Sequence, residues 1–153
     1  MTAPRKDIIE IMTRFGIASQ LFQNMMETRL ATFGLTVPQM SVLSHIVRLS
    51  RPLRITDIAR AVQVGQPAVT KMITKFENAG WVGFIASQSD RRSKIVQATE
   101  KGTAHLLHVQ RSLMPTMGNF FAEWKSEDLD HFGEYLMKLG QFLDENRDQV
   151  TRA

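Results

Sequence analysis

Gln66, Pro67, Thr70, Lys71, Thr74 and Lys75 lie close together in the chain. Interleaved with them are Val69, Met72, Ile73 and Phe76, spaced i, i+3, i+4 and i+7. That spacing predicts a helix with one apolar face. It leaves Gln66, Thr70, Lys71, Thr74 and Lys75 on the outward side, with Pro67 in the first turn, where no amide hydrogen is needed. Amide, hydroxyl and ammonium groups on one exposed helix stripe are the groups that read base edges and hold phosphates in a DNA major groove. A second basic cluster follows in Asp90, Arg91, Arg92 and Lys94, where Asp90 can orient one guanidinium by a charge-assisted hydrogen bond. It sits between two strand-forming runs, Trp81 to Ala86 and Ser93 to Ala98, as the tip and return of a hairpin. Arginines at such a tip suit a narrow minor groove, where the negative potential is strongest.

The elements that must carry these groups can be read from periodicity. Asp7 to Phe33 is expected to be one long helix, with Ile8, Ile11, Met12, Phe15, Ala18, Phe22, Met25 and Met26 at spacings of three and four, closed by Gly34. Thr36 or Val37 caps a second helix, with Pro38 in its first turn. Leu53-Arg54-Ile55 is long enough for a very short strand, and Thr56 is expected to cap a short helix containing Ile58, Ala59 and Val62. A turn at Gln63-Val64-Gly65 then leads into the polar-faced helix, which ends at Gly80. Two helices joined by a short turn, followed by a basic hairpin, form a helix-turn-helix with a wing. Thr99 opens a long helix reaching about Trp124, which Pro115 and Gly118 are expected to bend or split. Ser126 is expected to cap a last helix, whose Leu129, Phe132, Leu136, Leu139 and Leu143 form a seam against another helix.

Composition narrows the chemistry further. The chain has 153 residues, a net charge of +4 and no cysteine, which excludes disulfides, thiolate zinc sites and thiol catalysis. From Arg48 to Lys101 ten basic residues outnumber four acidic ones, whereas elsewhere nine basic residues face eleven acidic ones. The positive excess therefore belongs to the helix-turn-helix and its wing. His105 and His108 are spaced i, i+3 but have no obvious third metal ligand, so surface or core histidines are expected. There is no phosphate-binding glycine loop and no nucleophile motif, so no enzyme and no cofactor are expected. No run approaches the roughly 18 apolar residues of a membrane span, and no signal-peptide pattern is present, so no membrane association and a cytoplasmic location are expected.

The ordered set Leu35-Thr36-x-x-Gln39, Ile58-Ala59, Pro67-x-Val69-Thr70-Lys71, Glu77-x-x-Gly80, Asp90-Arg91-Arg92 and Thr99-Glu100-Lys101-Gly102 resembles the MarR family of winged-helix regulators. No one motif is specific; their order and spacing are. The resemblance implies a mainly α fold with a small β-hairpin wing. It further implies an N-terminal dimerisation helix over 1–34, a winged helix-turn-helix over 35–101, and C-terminal dimerisation helices over 102–153. It implies a homodimer on pseudo-palindromic double-stranded DNA, commonly a repressor, released by a small aromatic or phenolic ligand bound near the dimerisation helices. For that ligand the candidates are Arg14, Phe22 and Met25 on the first helix and His45 on the second. Three positions depart from the family pattern: Phe84 where Arg is usual, Gln63 and Gly65 in the turn where Gly and Ser are usual, and Ala98 before Thr99 where Leu is usual. Phe84 motivates an alternative, a ligand-binding or protein-interaction module whose winged helix no longer reads specific DNA. A third possibility is a non-specific architectural DNA binder.

Overall fold

A computed structural model of the chain describes residues 6–86 and 94–146. Helix α1 (Lys6–Ala31) ends where Gly34 takes a φ of +70°, a left-handed conformation that favours glycine. The Gly34 N–H donates to the Ala31 carbonyl and the Leu35 N–H reaches back to the Leu30 carbonyl at 3.1 Å, consuming helix-end acceptors. Leu30 and Leu35, the residues joined by that second bond, are both buried.

Helix α2 (Val37–Leu49) begins in a reciprocal capping box. The Gln39 N–H donates to Thr36 Oγ1, and the Thr36 N–H donates to Gln39 Oε1 at 3.1 Å. Strand β1 (Leu53–Arg54) runs directly into helix α3 (Ile55–Val62). The helix therefore starts before Thr56, which does not cap it; Arg54 occupies the cap position without a side-chain bond. Pairing of Arg54 with Ile95 in the sheet holds its backbone extended and sets this boundary. Gln63, at φ +58°, ends α3, and helix α4 (Gln66–Asn78) follows from Gly65.

Helix α4 ends at a second left-handed glycine, Gly80 (φ +76°), after which the Trp81 N–H donates to the Phe76 carbonyl at 2.8 Å. Strands β2 (Val82–Ala86) and β3 (Lys94–Ala98) pair antiparallel, with Phe84 opposite Val96. β1 pairs antiparallel with the other edge of β3, so the sheet order is β1-β3-β2. The strand that returns from the wing thus lies at the centre of the sheet, and its Val96 is fully buried.

Helix α5 (Glu100–Phe120) remains one helix through Pro115 and Gly118. Pro115 is exposed, so the carbonyl its ring leaves unbonded can be solvated and the chain need not break. Helix α6 (Ser126–Glu145) is capped by Lys125 rather than Ser126. The Lys125 carbonyl accepts the first helical bond, from the Leu129 N–H at 3.1 Å, which puts Ser126 inside the helix.

The chain divides into two compact units, Met1–Ser112 and Leu113–Ala153. In the first, α2, α3 and α4 pack against one another and α2 packs against β3. Its core includes Val42, Leu43, Ile46, Ile58, Val69, Ile73 and Phe76, all fully or almost fully buried. Each such side chain contributes about 1.5–3 kcal/mol relative to exposure. In contrast, Ile8, Ile11, Met12, Phe15, Leu21 and Phe22 on α1 are exposed in the single chain. In the second unit Trp124 and Phe132 meet edge to face at 5.3 Å, while no residue of α6 is buried.

Candidate nucleic-acid interface

Burial of Val69, Ile73 and Phe76 fixes which way α4 is turned. Gln66, Pro67, Thr70, Lys71 and Thr74 are accordingly all exposed, on the stripe facing away from the core. The Thr70 hydroxyl donates to the Gln66 carbonyl and the Thr74 hydroxyl to the Thr70 carbonyl, each at 3.0 Å. With their hydrogens turned back onto the helix, both oxygens present lone pairs outward and are set to accept. Lys71, exposed beside them on the same helix, adds an ammonium, which is a donor only.

Lys75 does something different. Its ammonium donates to the Gly34 carbonyl at 2.5 Å and to Gln39 Oε1 at 2.8 Å. Lys75 is exposed as well, and in the free chain its nitrogen ties α4 to the turn between α1 and α2. The physical reason is that this turn presents the Gly34 carbonyl, to which an ammonium donates a charge-assisted hydrogen bond. Gln39 is the residue whose role the sequence left unread. It stands in the quoted motif, but its link to Lys75 spans 36 positions and has no local signal.

Asp90, Arg91 and Arg92 lie outside the described residues. Lys94, at the start of β3, is exposed and places its ammonium 4.9 Å from the centroid of the Phe84 ring. Phe84 therefore supports a cation at the base of the wing by a cation–π contact, although it brings no charge of its own.

The N-terminus of α5 is clamped to the end of α4. The Thr99 hydroxyl donates to the Gly80 carbonyl at 2.6 Å and accepts from the Gly102 N–H at 3.0 Å. The Thr99 N–H donates to the Trp81 carbonyl at 3.0 Å. A Cβ on Gly102 would stand only 2.0 Å from that same carbonyl oxygen. This close approach explains why Thr99 and Gly102 stand where they do, and it fixes the base of the hairpin against the end of α4.

Of the four ligand candidates only His45 lines the open groove beside α2. Arg14 is an exposed partner of Glu10 in an i, i+4 ion pair. Phe22 is exposed and Met25 half-buried on the same helix. His45 lines an open groove with Ser41, Ser44, Arg48 and Gln63, and neither Arg14, Phe22 nor Met25 lines it. Burial, then the charges of Arg48 and Arg51, push the His45 imidazole below its ordinary range. His105 stacks on Trp81 at 4.1 Å, and its Nε2 is buried without a hydrogen-bond partner. Burial, followed by the neighbouring His108, lowers its pKa, with Lys101 adding to the effect and backbone hydrogen bonding at Phe33 opposing it. His108 meets Phe33 edge to face. Among the described residues no group of three or more His, Asp or Glu could hold a metal ion.

Residues 35–94, from the α2 capping box to Lys94, match the model of the MarR family. That matched region is a MarR-family winged helix. Among relatives of this chain, the transcriptional activatory protein BadR of Rhodopseudomonas palustris is 29% identical over 110 residues, covering 69% of this chain and 62% of BadR. The regulator PecS of Dickeya dadantii is 22% identical over 131 residues, covering 84% of this chain and 79% of PecS. The aligned part thus spans less than two-thirds of BadR's own length. In fold, a MarR-family regulator of Streptomyces coelicolor solved in complex with DNA superposes with a TM-score of 0.79 at 17% identity, over 94% of this chain and 91% of that one. Apo MarR from E. coli gives a TM-score of 0.68 at 17% identity, over 91% of this chain and 98% of its own. These relatives and neighbours are regulators, not enzymes. No described helix is long and apolar enough to cross a membrane.

Proposed function

We propose that this chain is a homodimeric, sequence-specific DNA-binding regulator of transcription, acting in the cytoplasm as a repressor. The observation that carries the reading is the outward stripe of α4: Gln66, Thr70, Lys71 and Thr74 exposed together, opposite a buried face. Lys71 and the two threonines read one major groove, with Lys94, Arg91 and Arg92 on the flanking backbone and minor groove. Two protomers set their recognition helices about one helical turn apart, on one face of a pseudo-palindrome. Support for the dimer comes from the exposed apolar residues of α1 and from α6, which buries nothing within its own chain. Apolar surface of this extent marks an interaction face.

The test is a gel-shift titration against the DNA upstream of the protein's own coding region. Binding that weakens steeply with salt and survives competition by random DNA supports a specific regulator. Binding unchanged in a chain carrying both Lys71→Ala and Arg91→Ala refutes the assignment of the reading residues. BadR is named as an activator. The sign of regulation in this protein is set by where its operator lies, and a promoter-reporter fusion decides it. Release by a small aromatic or phenolic ligand completes the proposal, and a melting-shift screen of such compounds on the protein–DNA complex tests it.

A further inference from the structure

The helix α2 carries a second stripe besides its buried one. Ser41, Ser44, His45 and Arg48 recur at i, i+3, i+4 and i+7, and together with Gln63 at the end of α3 they line an open groove of about 380 Å³. That is far more than the roughly 30 Å³ share of one water molecule. The polar groups on its α2 wall are hydroxyls, an imidazole and a guanidinium. Among the described residues no carboxylate lies within ion-pair distance of Arg48 or of the neighbouring Arg51. Asp57 on α3 is already engaged by Arg60 at 3.7 Å. The Arg48 guanidinium instead approaches His45 Nδ1 at 3.5 Å, so a cation is set beside an ionisable ring with no opposing charge. Gln63 contributes from a left-handed backbone position (φ +58°).

We propose that this groove is an oxyanion-binding site, holding a phosphate or carboxylate group between the Arg48 guanidinium and the Ser41 and Ser44 hydroxyls. An oxyanion supplies what the groove lacks: acceptor-only oxygens for a five-donor guanidinium and for hydroxyl hydrogens, and a negative charge beside the Arg48 cation. The groove ends on the turn that leads into α4, so two sources of the group are chemically equivalent. One is a backbone phosphate of duplex DNA flanking the groove read by α4, and the other is a free small anion.

The experiment uses the full chain and its Arg48→Gln variant, which keeps helix propensity at an exposed position. In one arm, inorganic phosphate is titrated at constant ionic strength while the His45 ring resonances are followed by NMR. In the other, the slope of log K against log salt is measured for a duplex selected by the wild-type protein. A free-anion site gives a saturable shift at His45 that weakens at least tenfold in Arg48→Gln, with an unchanged DNA slope. A backbone-phosphate site reduces the magnitude of that slope by about one in the variant. Either result, or both, supports the site; no saturable shift together with an unchanged slope overturns it. The DNA arm rests on the DNA-binding reading. Should the wild-type chain bind no duplex, that reading fails by itself and the phosphate titration alone decides the groove.

Discussion

Gly102→Ala sets two physical effects against each other, and their sizes decide the sign. The position lies in the first turn of α5, where alanine is better than glycine by up to about 1 kcal/mol on propensity alone. Against that, the added Cβ would meet the Trp81 carbonyl oxygen at 2.0 Å, the carbonyl carbon at 2.8 Å and Cα at 2.9 Å. All three are backbone atoms, and they are pinned. Trp81 donates to the Phe76 carbonyl at 2.8 Å, accepts from Thr99 at 3.0 Å and stacks on His105 at 4.1 Å. Relief therefore requires moving the start of α5 away from β2, which strains the Thr99 clamp. Overpacking of this kind costs about 1–3 kcal/mol or more, and a backbone obstacle belongs at the upper end. The expected net loss is about 2 kcal/mol, or about 4–8 °C in Tm for a chain of this size. Calorimetry or thermal circular dichroism at one fixed protein concentration measures it, since dimerisation makes Tm concentration-dependent. Gly118→Ala is the control: an added Cβ there meets nothing within 4 Å, so propensity acts alone and the change should be neutral or stabilising. A Gly102→Ala protein melting at or above the wild type refutes the reasoning.

Three further outcomes are expected. Lys75→Met should lower stability by about 1 kcal/mol, because the Gly34 carbonyl and Gln39 lose their shared donor. It should reduce DNA affinity much less than Lys71→Ala, and equal losses in a binding titration would return Lys75 to the DNA face. Acid should destabilise the protein through His105, whose folded pKa is lowered. The unfolded ring takes up a proton near pH 6.5 while the folded ring resists it, so the stabilisation present above about pH 6.5 is lost as pH falls further. Denaturant titrations across that range should show a shallower loss in His105→Phe, which keeps the stack on Trp81; parallel curves would exclude His105 as a source. His45 acts with the same sign. Phe84→Leu should weaken DNA binding by a few-fold through a less fixed Lys94, in keeping with roughly 0.5–1 kcal/mol for an exposed cation–π contact. The loss should vanish in a Lys94→Ala background, and persistence there would point to another role for the ring.

Much of this architecture was legible because its signals are local. Thr36 and Gln39 sit at capping-box spacing, Gly34 and Gly80 stand where helices must turn left-handed, and the apolar rhythm of α4 selects its buried face. What periodicity cannot supply is the identity of the neighbour. It gives the direction in which Lys75 leaves its own helix, but not that a turn carbonyl from 41 positions earlier lies within reach. The same limit accounts for Thr56. Its hydroxyl suits a cap, but the start of α3 is set by the sheet, through Arg54 pairing with Ile95. Of Arg14, Phe22, Met25 and His45, only His45 lines the groove built from α2 and the end of α3, a neighbourhood with no local signal in the sequence. Pro115 shows the reverse: the residue type announces a break that exposure to solvent makes unnecessary.

The basic excess between Arg48 and Lys101 is thus not one surface but several separate assignments. Lys75 spends its charge on the fold, and Arg60 faces Asp57. Arg48 lines the groove beside α2, and with Arg51 it adds to the burial that lowers the pKa of His45. Lys71 stands on the exposed stripe of α4, and Lys94 is held over an aromatic ring at the wing base. A count of lysines and arginines would credit all of these to a polyanion. Of these, only Lys71 and Lys94 lie on α4 or the wing with their ammonium groups clear of any carbonyl or carboxylate acceptor among the described residues. Where Lys71 is held is set in part by the Gly80–Thr99–Gly102 clamp, which locks the end of α4 to the junction of β3 and α5.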